Sequence, residues 1–317
     1  MPANYDALLL LSFGGPEGPD DVIPFLENVL RGRNVPHERM LEVAEHYYHF
    51  GGRSPINDQC RELIGALKPL VDLPIYWGNR NWNPMLADTV LQMKNDGVKH
   101  ALGIATSAFG SYSGCRQYRE DIAKATAGLE DAPEIEKLPP FWNHEGFIGA
   151  MAGRVGEALA ALPGAAVVYT AHSIPNAMAA ASPYVEQLRA AATLVNQRLG
   201  LGEPTLAYQS RSGPPTQPWL DPDIGDFIRS FEGTKLIVVP IGFLSDHMEV
   251  LYDLDYEAAA IAKEHNIEFL RAGTAGTHPL FVAGLADLIH AAQSGGITPC
   301  RIDCCLPAVR PQRPAQV

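Results

Sequence analysis

The sequence predicts an α/β fold of two similar Rossmann-like domains, each a four-stranded parallel sheet flanked by helices, around a shared cleft. Short apolar runs alternate with longer stretches of helical spacing, which is typical of buried parallel strands joined by helical crossovers. This alternation occurs twice along the chain. With 317 residues, of which 46% are hydrophobic, the chain can form two domains with sizeable cores.

Eight apolar runs are the predicted strands, and each ends in a turn rich in small residues or proline. They are 7–11, 74–77, 101–106 and 134–138 in the first half, and 166–170, 205–208, 236–241 and 267–270 in the second. The helical stretches include 20–30, 59–67, 86–95, 184–199 and 256–265. Because three strand–turn segments recur in the second half, we expect domains at 1–155 and 156–295. A Pro- and Cys-rich extension follows at 296–317.

Charge and composition exclude several classes of protein. A net charge of −12, from 36 acidic and 24 basic residues, opposes binding to nucleic acid, which needs a basic surface. No apolar run approaches the roughly 20 residues that span a bilayer. The N-terminus lacks the basic segment of a secretory signal, so a cytoplasmic protein is expected. The five cysteines do not form a disulfide framework. No heptad stripe is present, so we expect a monomer.

The sequence lacks the usual motifs of nucleotide chemistry. G-x-G-x-x-G and G-x-x-x-x-G-K-[ST] are absent, which argues against dinucleotide and nucleotide enzymes. The absence of G-x-S-x-G excludes a nucleophile elbow. Chemistry is therefore sought at the carboxyl ends of the predicted strands, where open parallel sheets bind their ligands.

His172 and a line of carboxylates lie at two such strand ends. His172 comes two residues after the predicted strand 166–170, and imidazole can accept a proton or bind a metal ion near neutral pH. Glu249, Asp253 and Glu257 follow the strand 236–241 at spacing i, i+4, i+8, which places them on one stripe of a helix. Such a stripe is either a solvated acidic face or a path that carries a divalent cation into the cleft.

Seven segments together resemble the ferrochelatases, in collinear order over almost the whole chain. They are 9–16, 46–57, 76–84, 111–118, 170–175, 208–220 and 239–255, and they read LLLSFGGP, HYYHFGGRSPIN, YWGNRNWNP, SYSGCRQY, TAHSIP, YQSRSGPPTQPWL and VPIGFLSDHMEVLYDLD. The chain is similar to bacterial coproporphyrin-type enzymes of the actinobacterial kind. This resemblance implies a porphyrin cleft and the insertion of Fe²⁺ into coproporphyrin III. The product, coproheme, could pass to a downstream acceptor enzyme.

The resemblance also implies roles for particular residues. The family's catalytic histidine and glutamate map onto His172 and Glu249, and which of the two accepts protons and which binds iron stays open. The family's outer acidic line maps onto Asp253 and Glu257.

Further residues map onto the porphyrin cleft. Family porphyrin contacts map onto Ser54 and Tyr118. Phe13 stands where some relatives carry an iron-binding tyrosine, and a phenyl ring offers no oxygen ligand. The propionates of coproporphyrin have three candidate partners, which are otherwise ordinary surface arginines. These are Arg31, Arg33 and Arg53.

Three of the five cysteines, Cys300, Cys304 and Cys305, lie close together in the C-terminal extension. Iron–sulfur clusters are typically held by four thiolates. Some similar ferrochelatases hold a [2Fe–2S] cluster with one internal and three C-terminal cysteines, which implies Cys115 as the fourth ligand. Cys60 is predicted to be a core residue of a helix. A zinc site or plain thiols are the alternatives.

Three other functions are compatible with the sequence pattern. They are a protoporphyrin IX ferrochelatase, a sirohydrochlorin-type chelatase for cobalt or nickel, and a non-catalytic carrier of a tetrapyrrole or metal. The long segments 208–220 and 239–255 favour iron and porphyrin. A carrier would not require His172 and Glu249 together at the strand ends.

Overall fold

The computed structural model describes residues 4–32, 35–213 and 216–307, and this part of the chain contains eight strands. They are β1 (Ala7–Ser12), β2 (Ile75–Asn79), β3 (His100–Ala105), β4 (Glu134–Lys137), β5 (Ala166–His172), β6 (Thr205–Gln209), β7 (Lys235–Val239) and β8 (Glu268–Arg271). Each coincides with a predicted strand, with its ends shifted by two residues at most. The short apolar runs therefore located the strands correctly.

The strands form two separate four-stranded parallel sheets with the same order. The first is β2-β1-β3-β4 and the second is β6-β5-β7-β8. All their pairings are parallel, so crossovers link the strands of each sheet. The repeated order confirms the predicted α/β fold with two similar halves.

Helices cover both sheets. They are α1 (Val22–Leu30), α2 (His37–His49), α3 (Ile56–Leu67), α4 (Leu86–Asn95), α5 (Gln117–Thr126), α6 (Glu145–Ala161), α7 (Asn176–Ala180), α8 (Tyr184–Leu199), α9 (Ile224–Arg229), α10 (Met248–Val250), α11 (Ala259–Glu264) and α12 (Pro279–Gln293). Turns of π-helix occur at Tyr112–Arg116 and Leu251–Ala258. The predicted helix 256–265 is therefore divided between the second π-helical turn and α11.

One buried apolar cluster extends through both halves of the molecule. It contains Leu8 of β1 and Tyr169 of β5, together with Met151 and Val155 of α6. Helix α6 contributes many buried residues to this cluster, and the expected domain boundary at 155/156 falls inside this helix. The shared core fixes the two sheets relative to each other and so fixes the cleft at their carboxyl ends.

Strand β5 is longer than predicted, and this changes the position of His172. The sequence pattern ended the strand at 170, whereas β5 continues to His172, which pairs with Gln209 of β6. The ladder extends one step further, because the Ser173 N–H donates to the Gln209 carbonyl at 2.7 Å. His172 is thus held by the sheet itself and not by the loop after it.

Candidate active site

The ring of His172 is held in one orientation by the backbone. Its Nδ1 contacts the carbonyl of Ser173, and because a carbonyl only accepts hydrogen bonds, Nδ1 carries the proton. The Tyr184 hydroxyl of α8 donates to the His172 carbonyl at 3.1 Å. Nε2 is therefore the ring nitrogen that is available to a partner in the cleft.

That partner is Glu249, in the short helix α10 that follows β7. His247 caps the helix, since its Nδ1 accepts the amide N–H of Glu249 at 3.2 Å. The cap places Glu249 Oε1 3.6 Å from His172 Nε2. The structure thus brings together the two residues that the resemblance assigns to catalysis.

The two side chains form an ion pair at neutral pH. Burial opposes the charged form of each group, but the attraction between them outweighs burial. The carboxylate of Glu249 raises the pKa of His172 to about 9, and the His172 charge lowers the pKa of Glu249 to about 2. The side chains are 30% and 47% exposed in the cleft, so water screens the attraction. Glu249 is therefore the deprotonated member of the pair and His172 the protonated one.

Asp253 is held by two residues at the end of β6. Its Oδ2 accepts a short hydrogen bond from the Ser210 hydroxyl and lies 3.5 Å from Gln209 Nε2. The same amide of Gln209 donates to the Glu249 carbonyl at 3.0 Å. Ser210 has φ 62, a left-handed conformation that is uncommon outside glycine and frequent at functional sites. These contacts connect the end of β6 to Glu249 and Asp253.

The acidic line lies on a turn of π-helix. Asp253 and Glu257 belong to the turn Leu251–Ala258, a wide hydrogen-bonded form that is frequently found at functional sites. Burial, opposed by the Ser210 hydrogen bond and aided by the charges of Glu249 and Glu257, raises the pKa of Asp253 to about 7. Burial, followed by the charge of Asp223, raises the pKa of Glu257. Asp253 therefore holds or releases a proton near neutral pH.

The two expected porphyrin contacts are buried side chains. Ser54 is 3% exposed, and its N–H donates to the Pro16 carbonyl at 2.9 Å. Tyr118 is 5% exposed, and the guanidinium of Arg80 lies 4.1 Å from its ring centre. Phe13, by contrast, is among the exposed large apolar side chains, and its ring meets Phe25 edge to face.

The arginines proposed for propionates have partners within the protein. Arg53 forms a 2.6 Å ion pair with Asp58, and Arg31 hydrogen-bonds the Asn28 side chain. Arg33 lies outside the described residues. The Arg53 pair is exposed, and exposed pairs contribute little, so this side chain can exchange Asp58 for a ligand carboxylate.

Cys115 of the predicted cluster is buried, and two cysteines of the tail approach its thiol. The Cys115 thiol interacts with those of Cys300 and Cys305, and Cys305 Sγ lies 3.3 Å from Cys304 Sγ. Hydrogen bonds from Cys300 and Cys305, aided by Lys137, lower the pKa of Cys115. Cys305 has φ 54, and this left-handed backbone lets neighbouring sulfurs approach each other, whereas an extended strand points them apart.

The remaining cysteine lies in the core, and the tail lies against the first half of the molecule. Cys60 is 2% exposed in the core, as predicted. The tail is held by two arginines of the first half. Arg116 donates to the Ile302 carbonyl at 2.7 Å and Arg119 to the Arg301 carbonyl at 2.9 Å.

Two structural features are absent from the described residues. Within 4–32, 35–213 and 216–307, no group of three or more His, Cys, Asp or Glu side chains is arranged to hold a metal ion. No helix in the same ranges is long and apolar enough to cross a membrane.

Comparison with known proteins decides the family. A family model described as ferrochelatase matches residues 5–293. The chain belongs to the ferrochelatase family. This result confirms the resemblance carried by the seven sequence segments, and it identifies a porphyrin-metallating lyase.

Curated relatives match over nearly their whole length. A ferrochelatase from Rhodopirellula baltica is 53% identical, over 98% of this chain and 95% of that protein. Proteins named coproporphyrin III ferrochelatase from Streptomyces coelicolor and Streptomyces griseus are each 49% identical, over 94% and 91% of this chain.

Solved structures share the fold at low sequence identity. The cobalt complex of the sirohydrochlorin chelatase SirB from Bacillus subtilis has a TM-score of 0.59 at 13% identity, covering 92% of this chain and 96% of that one. CbiX, described as the terminal enzyme of siroheme biosynthesis in denitrifying bacteria, has a TM-score of 0.54 at 16% identity, covering 90% and 99%. These matches confirm the chelatase-like two-sheet architecture.

The sequence analysis did not identify two residues of this ferrochelatase site, Gln209 and Ser210. Gln209 and Ser210 contact Glu249 and Asp253, but the sequence analysis treated the segment 208–220 only as a family signature. The available signal was their position at the carboxyl end of a predicted strand. The residues that they contact lie on another element, and no local pattern identifies such partners.

Proposed function

We propose that this protein inserts Fe²⁺ into coproporphyrin III to form coproheme. The observation that carries the proposal is the 3.6 Å pair of His172 and Glu249, next to Asp253 at the end of the second sheet. The names of the Streptomyces relatives support coproporphyrin III as the porphyrin, rather than protoporphyrin IX. We further propose a monomeric cytoplasmic enzyme whose product passes to an acceptor enzyme.

Insertion removes two pyrrole protons and exchanges the water ligands of Fe²⁺ for porphyrin nitrogens. In the free protein His172 is an imidazolium ion and has no lone pair to offer, whereas Glu249 is a carboxylate. We therefore assign the first contact with a pyrrole proton or with iron to Glu249.

The second step follows from the loss of the ion pair. When Glu249 engages its ligand, the attraction that raises the pKa of His172 weakens, and this pKa returns toward its ordinary value of 6.5. The imidazolium then releases its Nε2 proton to water. The resulting neutral imidazole can accept the next proton from the porphyrin.

Asp253 and Glu257 are proposed to deliver iron to this pair. Carboxylate oxygens bind Fe²⁺ without a closed ligand cage, which suits transfer more than storage. Ser54 and Tyr118 are proposed to line the porphyrin site. Binding that favours a bent macrocycle would expose a nitrogen lone pair and so lower the barrier to insertion.

We also propose that Cys115, Cys300, Cys304 and Cys305 hold a [2Fe–2S] cluster. The four cysteines match the ligand count of such a cluster. The described thiols are not arranged as a metal site, so the proposal rests on this count and on the approach of Cys300 and Cys305 to Cys115. A bound cluster would tie the tail to the first half of the molecule and supply redox-sensitive thiolate chemistry there. A Zn²⁺ site is the alternative that metal analysis would distinguish.

The test is an anaerobic insertion assay. Purified protein is mixed with Fe²⁺ and either coproporphyrin III or protoporphyrin IX, and the loss of porphyrin fluorescence is followed over many turnovers. We expect repeated turnover that is faster with coproporphyrin III and absent in His172→Ala. Stoichiometric quenching without turnover would indicate a carrier, and faster use of protoporphyrin IX would contradict the assigned substrate.

A further inference from the structure

Arg271, the last residue of β8, joins two aspartates that flank the carboxylates of the active site. Its Nε lies 2.5 Å from Asp255 Oδ1 and its second terminal nitrogen 3.0 Å from Asp255 Oδ2. The first terminal nitrogen lies 3.1 Å from Asp246 Oδ1. Asp246 precedes Glu249 and Asp255 follows Asp253, so one guanidinium holds both ends of the segment 246–255.

The side chain of Arg271 is largely buried, while its partner Asp255 lies at the solvent-exposed edge. The side chain of Arg271 is 14% exposed, and its planar guanidinium meets the Asp255 carboxylate with two parallel hydrogen bonds. Burial opposes the charge of Arg271, but hydrogen bonds and charges from Asp255 and Asp246 outweigh burial and raise its pKa. The largely buried guanidinium and its two-pronged contact define the geometry at this edge of the sheet, although Asp255 itself reaches the solvent.

The segment between the two aspartates is the beginning of a continuous helical stretch, in which α10 leads directly into the π-helical turn Leu251–Ala258 and then into α11. Asp246 and His247 precede the helix, and the first turn of a helix has backbone N–H groups without partners inside the helix, so the placement of Glu249 depends on tertiary contacts. Asp246 is anchored a second time, because its N–H donates to Gln59 Oε1 of α3 at 2.8 Å. Because Arg271 binds both Asp246 and Asp255, it connects the Gln59 contact to the far end of the segment, past Glu249 and Asp253.

We propose that Arg271 is a positioning residue, which keeps Glu249 against His172 and keeps Asp253 in line behind it. The inference rests on the proposed roles of Glu249 and Asp253. Arg271 acts only through Asp246 and Asp255. A displacement of about 1 Å at reacting groups can cost about 100-fold in rate, so loss of this clamp affects catalysis without removing a reacting group.

The experiment compares four single variants and one double variant of the full-length protein under anaerobic conditions. Arg271→Ala removes the clamp, Arg271→Lys keeps the charge but loses the two-pronged contact, and Asp255→Asn weakens one end. Arg229→Ala is the matched control, because Arg229 forms an exposed ion pair with Asp226 on α9. For each we measure Tm, kcat, the KM for Fe²⁺ and the Kd for coproporphyrin III.

We expect Arg271→Ala to lower kcat/KM for iron about 10- to 100-fold, with an unchanged porphyrin Kd, at temperatures where it is fully folded. Arg271→Lys should lose less of kcat/KM for iron than Arg271→Ala does. The loss in Asp255→Asn should be similar to that in Arg271→Lys. Adding Asp255→Asn to Arg271→Ala should cause little further loss, because both disrupt one contact. The Arg229→Ala control should keep wild-type kinetics.

A lowered Tm with wild-type kinetics in Arg271→Ala would assign this residue to stability alone and overturn the inference. If Arg271→Ala does not fold, the kinetics of Arg271→Lys and Asp255→Asn decide in the same way. Glu249→Gln is measured in parallel. Full activity of that variant would instead remove the proposed role of Glu249, which is a different failure.

Discussion

Replacing Asp253 with Asn should make the protein more stable and a poorer user of iron. Burial raises the pKa of this carboxyl from 3.8 to about 7, so its charged form is disfavoured in the folded state. At 1.36 kcal/mol per pKa unit, the full shift corresponds to about 4 kcal/mol. Water and local relaxation in the cleft reduce this value, and we expect a gain of about 1–2 kcal/mol. With about 2–4 °C per kcal/mol, Tm should rise by about 2–8 °C.

The sign depends on which state holds the proton. Between pH 3.8 and about 7 the unfolded chain has released the Asp253 proton while the folded protein keeps it, so unfolding becomes easier as pH rises. The destabilisation is complete above this range and absent below it. Asn carries no charge at any pH, so the gain in Tm should be largest at pH 8 and about a third as large at pH 5.

Thermal unfolding of the wild type, Asp253→Asn and Asp287→Asn at both pH values provides the assay. Asp287 is an exposed carboxylate of α12 and serves as the control. Alongside the gain in stability, the apparent KM for Fe²⁺ should rise in Asp253→Asn more than kcat falls. An equal Tm change at pH 5 and pH 8, or a lower Tm at pH 8, would refute the argument from the buried charge.

The remaining predictions concern the catalytic pair and the tail. His172→Ala should bind coproporphyrin III with little change in Kd but lose insertion, whereas near wild-type turnover would contradict its assignment. Glu249→Gln should fold and lose most of its rate because an amide neither carries charge nor accepts a proton; a retained rate at saturating Fe²⁺ would make Glu249 a supporting residue. Cys305→Ser should remove sulfur-to-iron absorption and lower Tm, while Cys60→Ser should not alter the colour. Anaerobically purified wild-type protein without iron and sulfide would refute the cluster.

The ion pair of His172 and Glu249 gives a further test of pH dependence, which is also measured by thermal unfolding. The raised pKa of His172 stabilises the fold below pH 6.5, and this contribution disappears as pH rises through about 9. The lowered pKa of Glu249 stabilises it above pH 4.5, and this contribution disappears as pH falls through about 2. The Tm difference between wild type and Glu249→Gln should therefore be largest between pH 4.5 and 6.5.

Several parts of the site were readable in the sequence by itself. Continuous apolar runs located all eight described strands, because burial of both faces of a parallel sheet imposes a local composition. The positions of His172 and Glu249 after two such runs indicated chemistry, because parallel strands present their carboxyl ends at one edge. The four-residue spacing of Asp253 and Glu257 likewise predicted that they lie on one side of a helix.

Only the tertiary structure decided which groups meet. His172 reaches Glu249 because β5 extends to this histidine and because His247 caps α10, and neither feature follows from a local pattern. The same holds for Arg271, whose aspartate partners lie on another element, and for Cys115, which the folded tail approaches. Periodicity records which face of an element is buried, whereas contacts between elements depend on register and on the packing of the whole core.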